Sequence, residues 1–277
     1  IKSKHAQIDQ AWVTLSELSA EKKRVLDDHL AREEFKENVR TLVRGHQAKH
    51  DKLQAWIAEK EAYLKTKEHI ESVSEARKQL VLLETYEKDK DSVNESNVAQ
   101  LKKLGAEILA LKYETKYSSY VFEKPQEIKD REAAIDAKWK ELSELSAEKK
   151  RVLDDHLARE EFKEKVRRMN DQHTDKHNTL QSWITEQEAY LNTREAINSI
   201  SEAKTELSLL ASYEKDKESL HETNVAQLKK LGQEILAAKY HTNYSSYVFE
   251  HPDEVKNREA SIDAKWKELS ELSAEKK

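Results

Sequence analysis

Two pairs of histidines one helical turn apart are the residues whose spacing best suits metal chemistry. His173 and His177 form one pair, and His46 and His50 form the other. A spacing of i, i+4 places both imidazoles on one helix face, as a two-histidine metal site requires. The metalloprotease motif needs Glu directly after the first histidine, but these positions hold threonine and glutamine. Both pairs are therefore weak metal candidates. The alternative is that His173 is a core residue, because it falls on the apolar stripe of its helix.

Adjacent carboxylates are the second group with possible chemistry. Asp27-Asp28 and Glu33-Glu34 are of the residue types that perform general acid–base catalysis. Lysines and arginines stand close to them, so we expect ion pairs on a solvated helix face instead. The chain has no cysteine, and no Ser-His-Asp order or phosphate loop is readable. We therefore predict no catalytic residue, no cofactor and no enzymatic activity.

The composition predicts an all-α fold. The chain has 277 residues but only 3 Gly and 2 Pro, whereas average usage would give roughly 33 of these two together. Folds with many tight turns need such residues, so sandwiches, barrels and doubly wound sheets are excluded. The net charge of −5 is spread over both signs, which indicates neither a nucleic-acid-binding face nor a membrane-binding one.

The chain repeats itself after 127 residues. Residues 16–37 are identical to residues 143–164, and the same offset carries Trp12 to Trp139 and on to Trp266. A repeat of this length is a domain in its own right, not a short solenoid unit. We predict two domains, residues 1–150 and residues 151–277.

Apolar residues within each copy recur at steps of three and four, which predicts long amphipathic helices. We expect helices at about 2–66, 72–114, 126–193 and 199–240, with a further helix from Pro252; the helix over 126–193 would be on the order of 100 Å long. Short connections make consecutive helices antiparallel, so each copy predicts a three-helix bundle. The third helix of the first bundle would continue as the first helix of the second. Gly232, inside a helix, suggests a close helix approach.

Tyrosine-rich segments at residues 117–122 and 244–249 precede the two prolines. We predict loops there. They would cap the open end of their own bundle, and the alternative is a surface that docks a partner.

Tryptophan and Leu-Gly motifs occupy fixed places in both copies. They are Trp56-Ile57, Leu104-Gly105 and Trp139 in the first copy, and Trp183-Ile184, Leu231-Gly232 and Trp266 in the second. Through this pattern the whole chain resembles the spectrin-repeat superfamily. Residues 121–139 and 248–266 also resemble the rod of α-actinin. The resemblance implies two tandem three-helix bundles joined by a continuous helix in an elongated rod, with a structural core that contains Trp12, Trp56, Trp139, Trp183 and Trp266.

The resemblance also implies a function. The chain would be a rigid spacer and dimerisation rod of an actin-crosslinking protein in the cytoplasmic cytoskeleton. It would form an antiparallel homodimer and would reach actin only through domains absent from this sequence. The alternative is a spectrin-like scaffold rod that docks other cytoskeletal or membrane-associated proteins. An exposed apolar or basic patch would favour that alternative, and the sequence shows no strong one.

Overall fold

The structure is a computed structural model that describes the backbone of residues 2–277 and the side chains from Ser3 onward. Its helices are α1 (Lys2–Lys65), α2 (Val73–Val93), α3 (Ala99–Ala110), α4 (Pro125–Asn192), α5 (Ile200–Leu220), α6 (Ala226–Ala237) and α7 (Pro252–Lys276). A five-residue π-helical turn joins α2 to α3 at Asn94–Val98, and another joins α5 to α6 at His221–Val225. The all-α prediction is confirmed.

Both prolines begin a helix, as predicted, because the first helical turn does not need their missing N–H. The predicted break after α4 is present, and Ser199 caps α5 by accepting a hydrogen bond from the Glu202 amide. The Glu202 carboxylate in turn accepts from the Asn198 amide at 2.7 Å. The first bond satisfies one of the backbone amides that a helix start leaves free, and the second ties the residue before the cap to the first turn.

The prediction of irregular loops before the prolines is wrong. Each segment contains a short antiparallel hairpin: β1 (Lys112–Glu114) with β2 (Ser119–Val121), and β3 (Lys239–His241) with β4 (Ser246–Val248). The predicted helices at 72–114 and 199–240 therefore end at Ala110 and Ala237. Tyrosine and valine favour strands, and each hairpin places two tyrosines directly opposite each other, Tyr113 opposite Tyr120 and Tyr240 opposite Tyr247.

The described chain divides into two compact units. Unit 1 comprises the described residues up to His69 together with Gln79–Arg151, and unit 2 comprises Ile70–Lys78 together with Val152–Lys277. Helix α4 therefore contributes residues to both units. The division of the sequence into repeats at residues 150 and 151 stays a prediction.

Twelve core positions match at the 127-residue offset. Buried residues of unit 2 are Val166, Leu180, Ile184, Leu191, Leu210, Tyr213, Val225, Leu228, Ile235, Val255, Ile262 and Leu269. Their counterparts in unit 1 are Val39, Leu53, Ile57, Leu64, Leu83, Tyr86, Val98, Leu101, Ile108, Ile128, Ile135 and Leu142, and all of these are buried too. The repeat in the sequence is thus also a repeat of these twelve core positions.

Four of the five tryptophans are half-buried and form stacked pairs. The Trp56 and Trp139 rings lie 5.4 Å apart in unit 1, and the Trp183 and Trp266 rings lie 5.4 Å apart in unit 2. The expectation that Trp12 is a core residue is wrong, because its side chain is 64% exposed. Each paired tryptophan stacks on a partner 83 residues away in its own unit.

Candidate functional site: a buried histidine, glutamate and glycine in each unit

A buried histidine meets a glutamate from another helix in each unit. His46 and His173 are both 0% exposed, and in each the imidazole Nε2 lies 3.4 Å from a carboxylate oxygen, Glu132 Oε1 or Glu259 Oε1 respectively. His173 thus lies in the core. This is where the interpretation of its apolar stripe placed it.

A glycine on the middle helix makes room for this glutamate. A Cβ added to Gly232 would overlap the Glu259 carboxylate and would lie 3.1 Å from Val255 Cγ1. Gly105 has the same relation to Glu132 in unit 1. The close approach expected at Gly232 is therefore the approach of a glutamate side chain, which reaches the buried histidine across the glycine backbone.

Burial holds the histidine neutral. It lowers the pKa of His173 to about 4, and the positive charge of Arg258 acts in the same direction. Burial also raises the pKa of Glu259. When the neutral imidazole donates from Nε2, its Nδ1 becomes an acceptor, and Nδ1 has no partner among the described residues. The cluster therefore disfavours charge on the imidazole and provides a hydrogen bond between helices.

The structure shows which side chains lie beside the outer histidine of each pair. His50 Nδ1 lies 3.2 Å from Asp51 Oδ1, and His177 Nδ1 lies 3.3 Å from Asn178 Oδ1. No group of three or more histidine, aspartate or glutamate side chains in residues 3–277 is arranged to hold a metal ion. His46 and His173 each meet one carboxylate, and two ligands are too few for a structural zinc site.

The hairpins are fastened to their own units by one aspartate each. The Asp28 carboxylate accepts hydrogen bonds from Tyr113 at 2.9 Å, from Thr115 at 2.7 Å and from Ser118. The Ser118 and Thr115 hydroxyls lower the pKa of Asp28. In the predicted carboxylate pair, Asp27 makes the expected i, i+4 ion pair with a lysine. Asp28 instead anchors the hairpin, a role that sequence reasoning missed.

Unit 2 repeats this anchor. Asp155 accepts from Tyr240 at 2.8 Å and from Ser245. The Tyr240 ring also lies 5.8 Å from the ring of Phe162, which is on α4 like Asp155. The tyrosine-rich segments therefore pack on their own bundles, as the capping interpretation predicts.

A lysine, buried in unit 1 and partly buried in unit 2, covers the end of the first helix in each unit. Lys149 Nζ donates to the Thr66 carbonyl at 2.9 Å and to Glu68 Oε1 at 2.6 Å, and it lies 4.8 Å from the centre of the Tyr63 ring. Lys276 repeats the arrangement with the Thr193 carbonyl at 2.7 Å. Helix ends leave carbonyls without partners, and a lysine there satisfies them. In the sequence, the only indication of this role was the position of Lys149 on the apolar stripe.

These clusters join segments of the same unit through hydrogen bonds. No helix among the described residues is long and apolar enough to cross a membrane. No curated protein matches the chain. A family model for the spectrin repeat matches twice, at residues 42–155 and 167–277. These two matches cover most of the chain, which therefore belongs to the spectrin-repeat family, a structural and non-catalytic family of rods and scaffolds.

Proposed function

We propose that the chain is a rigid spacer and dimerisation rod of an α-actinin-like actin-crosslinking protein of the cytoskeleton. One observation carries the spacer role. Helix α4 runs from Pro125 to Asn192 without a break and supplies residues to both units. A helical connection resists bending, whereas a flexible linker would not hold two ends at a set distance.

Ion pairs support α4 where it passes from unit 1 to unit 2. Arg151 pairs with Glu148 at 3.0 Å, and Glu160, which is almost fully buried, pairs with Arg159 at 2.8 Å and with Lys163 at 3.0 Å. Pairs at i, i+3 stabilise a helix by a few tenths of a kcal/mol each, on the order of 0.2–0.5 kcal/mol. This stretch also contains no glycine or proline.

Spin-label distance measurements test the spacer. Glu107→Cys and Glu234→Cys place labels on exposed, equivalent positions of α3 and α6, and the chain has no native cysteine. With the labelled chain diluted into an excess of unlabelled chain, so that only distances within one chain are measured, we expect one narrow distance distribution. A flexible glycine–serine insertion after Arg151 should broaden it, whereas a four-alanine insertion, which keeps the helix, should shift it without broadening. A broad distance distribution from the chain without an insertion would contradict the spacer role.

Exposed apolar side chains support the proposed antiparallel homodimer. Val81 and Leu82 on α2 are 60% and 44% exposed, and Leu207 and Leu209 on α5 are 53% and 50% exposed. An antiparallel dimer pairs unit 1 of one chain with unit 2 of the other, so these two patches would face each other. Their burial would supply the apolar driving force that the sequence alone did not reveal.

Sedimentation equilibrium tests the dimer. We expect a dimer for the chain, a shift toward monomer for Leu82→Lys and Leu209→Lys, and no shift for Glu107→Lys, which places the same charge on an exposed position of α3. A monomer at all concentrations would refute dimerisation. On co-sedimentation with F-actin, the chain should remain in the supernatant, because the proposal assigns actin binding to other modules.

A further inference from the structure

Three lysines with nearly buried side chains each have a carboxylate for a partner. Their side chains are at most 9% exposed, and the pairs are Lys90 with Glu87 at 3.0 Å, Lys149 with Glu68 at 2.6 Å and Lys276 with Glu195 at 3.0 Å. A carboxylate at such a distance favours the charged ammonium, which has no lone pair to offer to an electrophile. The burial of these three lysines is therefore matched by an ion pair.

Lys217 on α5 is partly buried but has no such pair. Among the described residues, its Nζ donates one hydrogen bond, to Ser270 Oγ on α7, and no carboxylate lies within ion-pair distance. The Ser270 hydroxyl donates to the Trp266 carbonyl at 3.0 Å, so its oxygen accepts from the lysine. Glu214, one turn earlier on α5, accepts from Ser273 at 3.2 Å instead.

A groove of about 490 Å³ lies beside this lysine within unit 2. Its titratable groups are Glu214, Lys217, Glu218, His221 and Lys277. Burial lowers the pKa of the Lys217 ammonium, although the carboxylates of Glu218 and Glu214 act in the opposite direction. Burial without an ion pair favours the neutral amine, which is the nucleophilic form of lysine.

His221 and Trp266 provide the other two parts of the groove. His221 follows Lys217 by four residues, a spacing that places both side chains on one face of a helix. The His221 ring centre lies 5.9 Å from that of Trp266 on α7. The groove therefore combines an amine, an imidazole that can take up a proton and an aromatic wall.

The equivalent place in unit 1 lacks this combination. Lys90, the counterpart of Lys217, is 7% exposed and is paired with Glu87. Asn94 stands where unit 2 has His221, and each of these two residues begins the π-helical turn of its unit. The two copies therefore provide a matched comparison of the same fold with and without the imidazole.

We propose that Lys217 is a site of covalent acylation by a small acyl thioester, with His221 as the proton acceptor. His221 takes the proton that the ammonium releases, and the neutral amine attacks the thioester carbonyl carbon. The C–N bond forms, the C–S bond breaks, and the leaving thiolate takes up the proton that the nitrogen loses. The amide product keeps one N–H for Ser270 Oγ, and its acyl group lies against Trp266. Acylation removes one positive charge from unit 2.

Acetylation of the folded chain by excess acetyl-coenzyme A tests the proposal. Cleavage after glutamate gives one peptide with Lys215 and Lys217 and another with Lys88 and Lys90, and fragment-ion mass spectrometry resolves the two lysines of each. Lys215 and Lys88 are exposed and serve as internal controls. We expect Lys217 to react several-fold faster than Lys215 near neutral pH, and Lys90 to react more slowly than Lys88. In guanidinium chloride, the two rates within each peptide should converge.

The pH dependence separates reactivity from accessibility. Between about pH 7.5 and about pH 9, acetylation of an ordinary exposed lysine should accelerate about 30-fold, because its neutral fraction rises about tenfold per pH unit below a pKa of about 10.4. Lys217 should accelerate less than Lys215 over this range, because a larger fraction of its amine is already neutral at the lower pH.

Two variants test the parts of the groove. His221→Asn copies the residue of unit 1, and Ser270→Glu places a carboxylate beside the lysine; each should slow the acetylation of Lys217 several-fold and leave Lys215 unchanged. Circular dichroism checks that both variants fold. The proposal is overturned if Lys217 reacts no faster than Lys215 in the folded chain, if both accelerate equally with pH, or if His221→Asn leaves the rate at Lys217 unchanged.

Discussion

Alanine substitutions at two glycines of unit 1 should have opposite effects on stability. Gly45 and Gly105 both lie within α-helices, where glycine costs about 1 kcal/mol relative to alanine. A Cβ at Gly45 would meet Leu104 Cδ2 at 3.8 Å, an ordinary contact. Gly45→Ala should therefore raise the free energy of unfolding by about 1 kcal/mol.

The same substitution at Gly105 places a methyl group in the buried cluster of His46 and Glu132. Its Cβ would overlap the Glu132 carboxylate and would lie 3.0 Å from Ile128 Cγ2, so the carboxylate must leave His46. Overpacking costs about 1–3 kcal/mol, and a buried polar group without a partner costs about 1–3 kcal/mol. The helix-propensity gain of about 1 kcal/mol offsets part of this. We expect Gly105→Ala to lower the free energy of unfolding by roughly 1–5 kcal/mol.

Urea unfolding followed by circular dichroism measures both changes, with a shifted midpoint at constant slope as the sign of altered stability. A double-mutant cycle with Glu132→Ala assigns the cause. In that background Gly105→Ala should cost less, with a coupling of about 1–3 kcal/mol. If Gly105→Ala stabilises the chain as Gly45→Ala does, or if the coupling is zero, the carboxylate does not occupy the space over the glycine and the reasoning is refuted.

Three further predictions concern a titration, an anchor and the tryptophans. The pKa of His173, lowered to about 4 from 6.5, means that stability is complete above pH 6.5 and falls by roughly 3 kcal/mol as the pH approaches 4; an NMR titration of the imidazole near 6.5 would contradict this. Asp155→Ala removes the acceptor of Tyr240, so amide exchange in β3 and β4 should accelerate, and unchanged protection would show that the aspartate does not hold the hairpin. Trp183→Ala should lower the free energy of unfolding by about 2–4 kcal/mol. Trp12→Ala, at an exposed position, should leave the midpoint of thermal unfolding unchanged.

Helix positions were predictable because they depend on local sequence. Pro125 and Pro252 start helices, Ser199 caps one, and periodic apolar residues lie between them, so helix bounds from the sequence fall within a few residues of those observed at most ends. The core was predictable for the same reason: a repeat at a fixed offset must repeat its apolar stripe.

The contacts of the candidate site depend on residues far apart in the chain. His173 and Glu259 are separated by 86 residues, and nothing local indicates that Gly232 opens the path between them. Each hairpin combines a local preference for strands with a hydrogen-bond acceptor far away in the sequence, Asp28 or Asp155. A prediction from local sequence does not include that acceptor. Trp12 is exposed because a repeated sequence does not guarantee repeated neighbours.

The π-helical turns set the angular phase of the helices that contain them. In unit 2, the buried residues Tyr213 and Val225 are 12 residues apart. In a regular helix at 100° per residue, 12 residues rotate a side chain about 120° away from its starting face, whereas 11 residues return it to within about 20°. The turn at His221–Val225 takes up the extra residue as a local widening. The helix therefore carries one residue more than its period allows, while Leu228, Gly232 and Ile235 still point into the core. The repeat can thus absorb a single-residue change in length without losing the register of its interior.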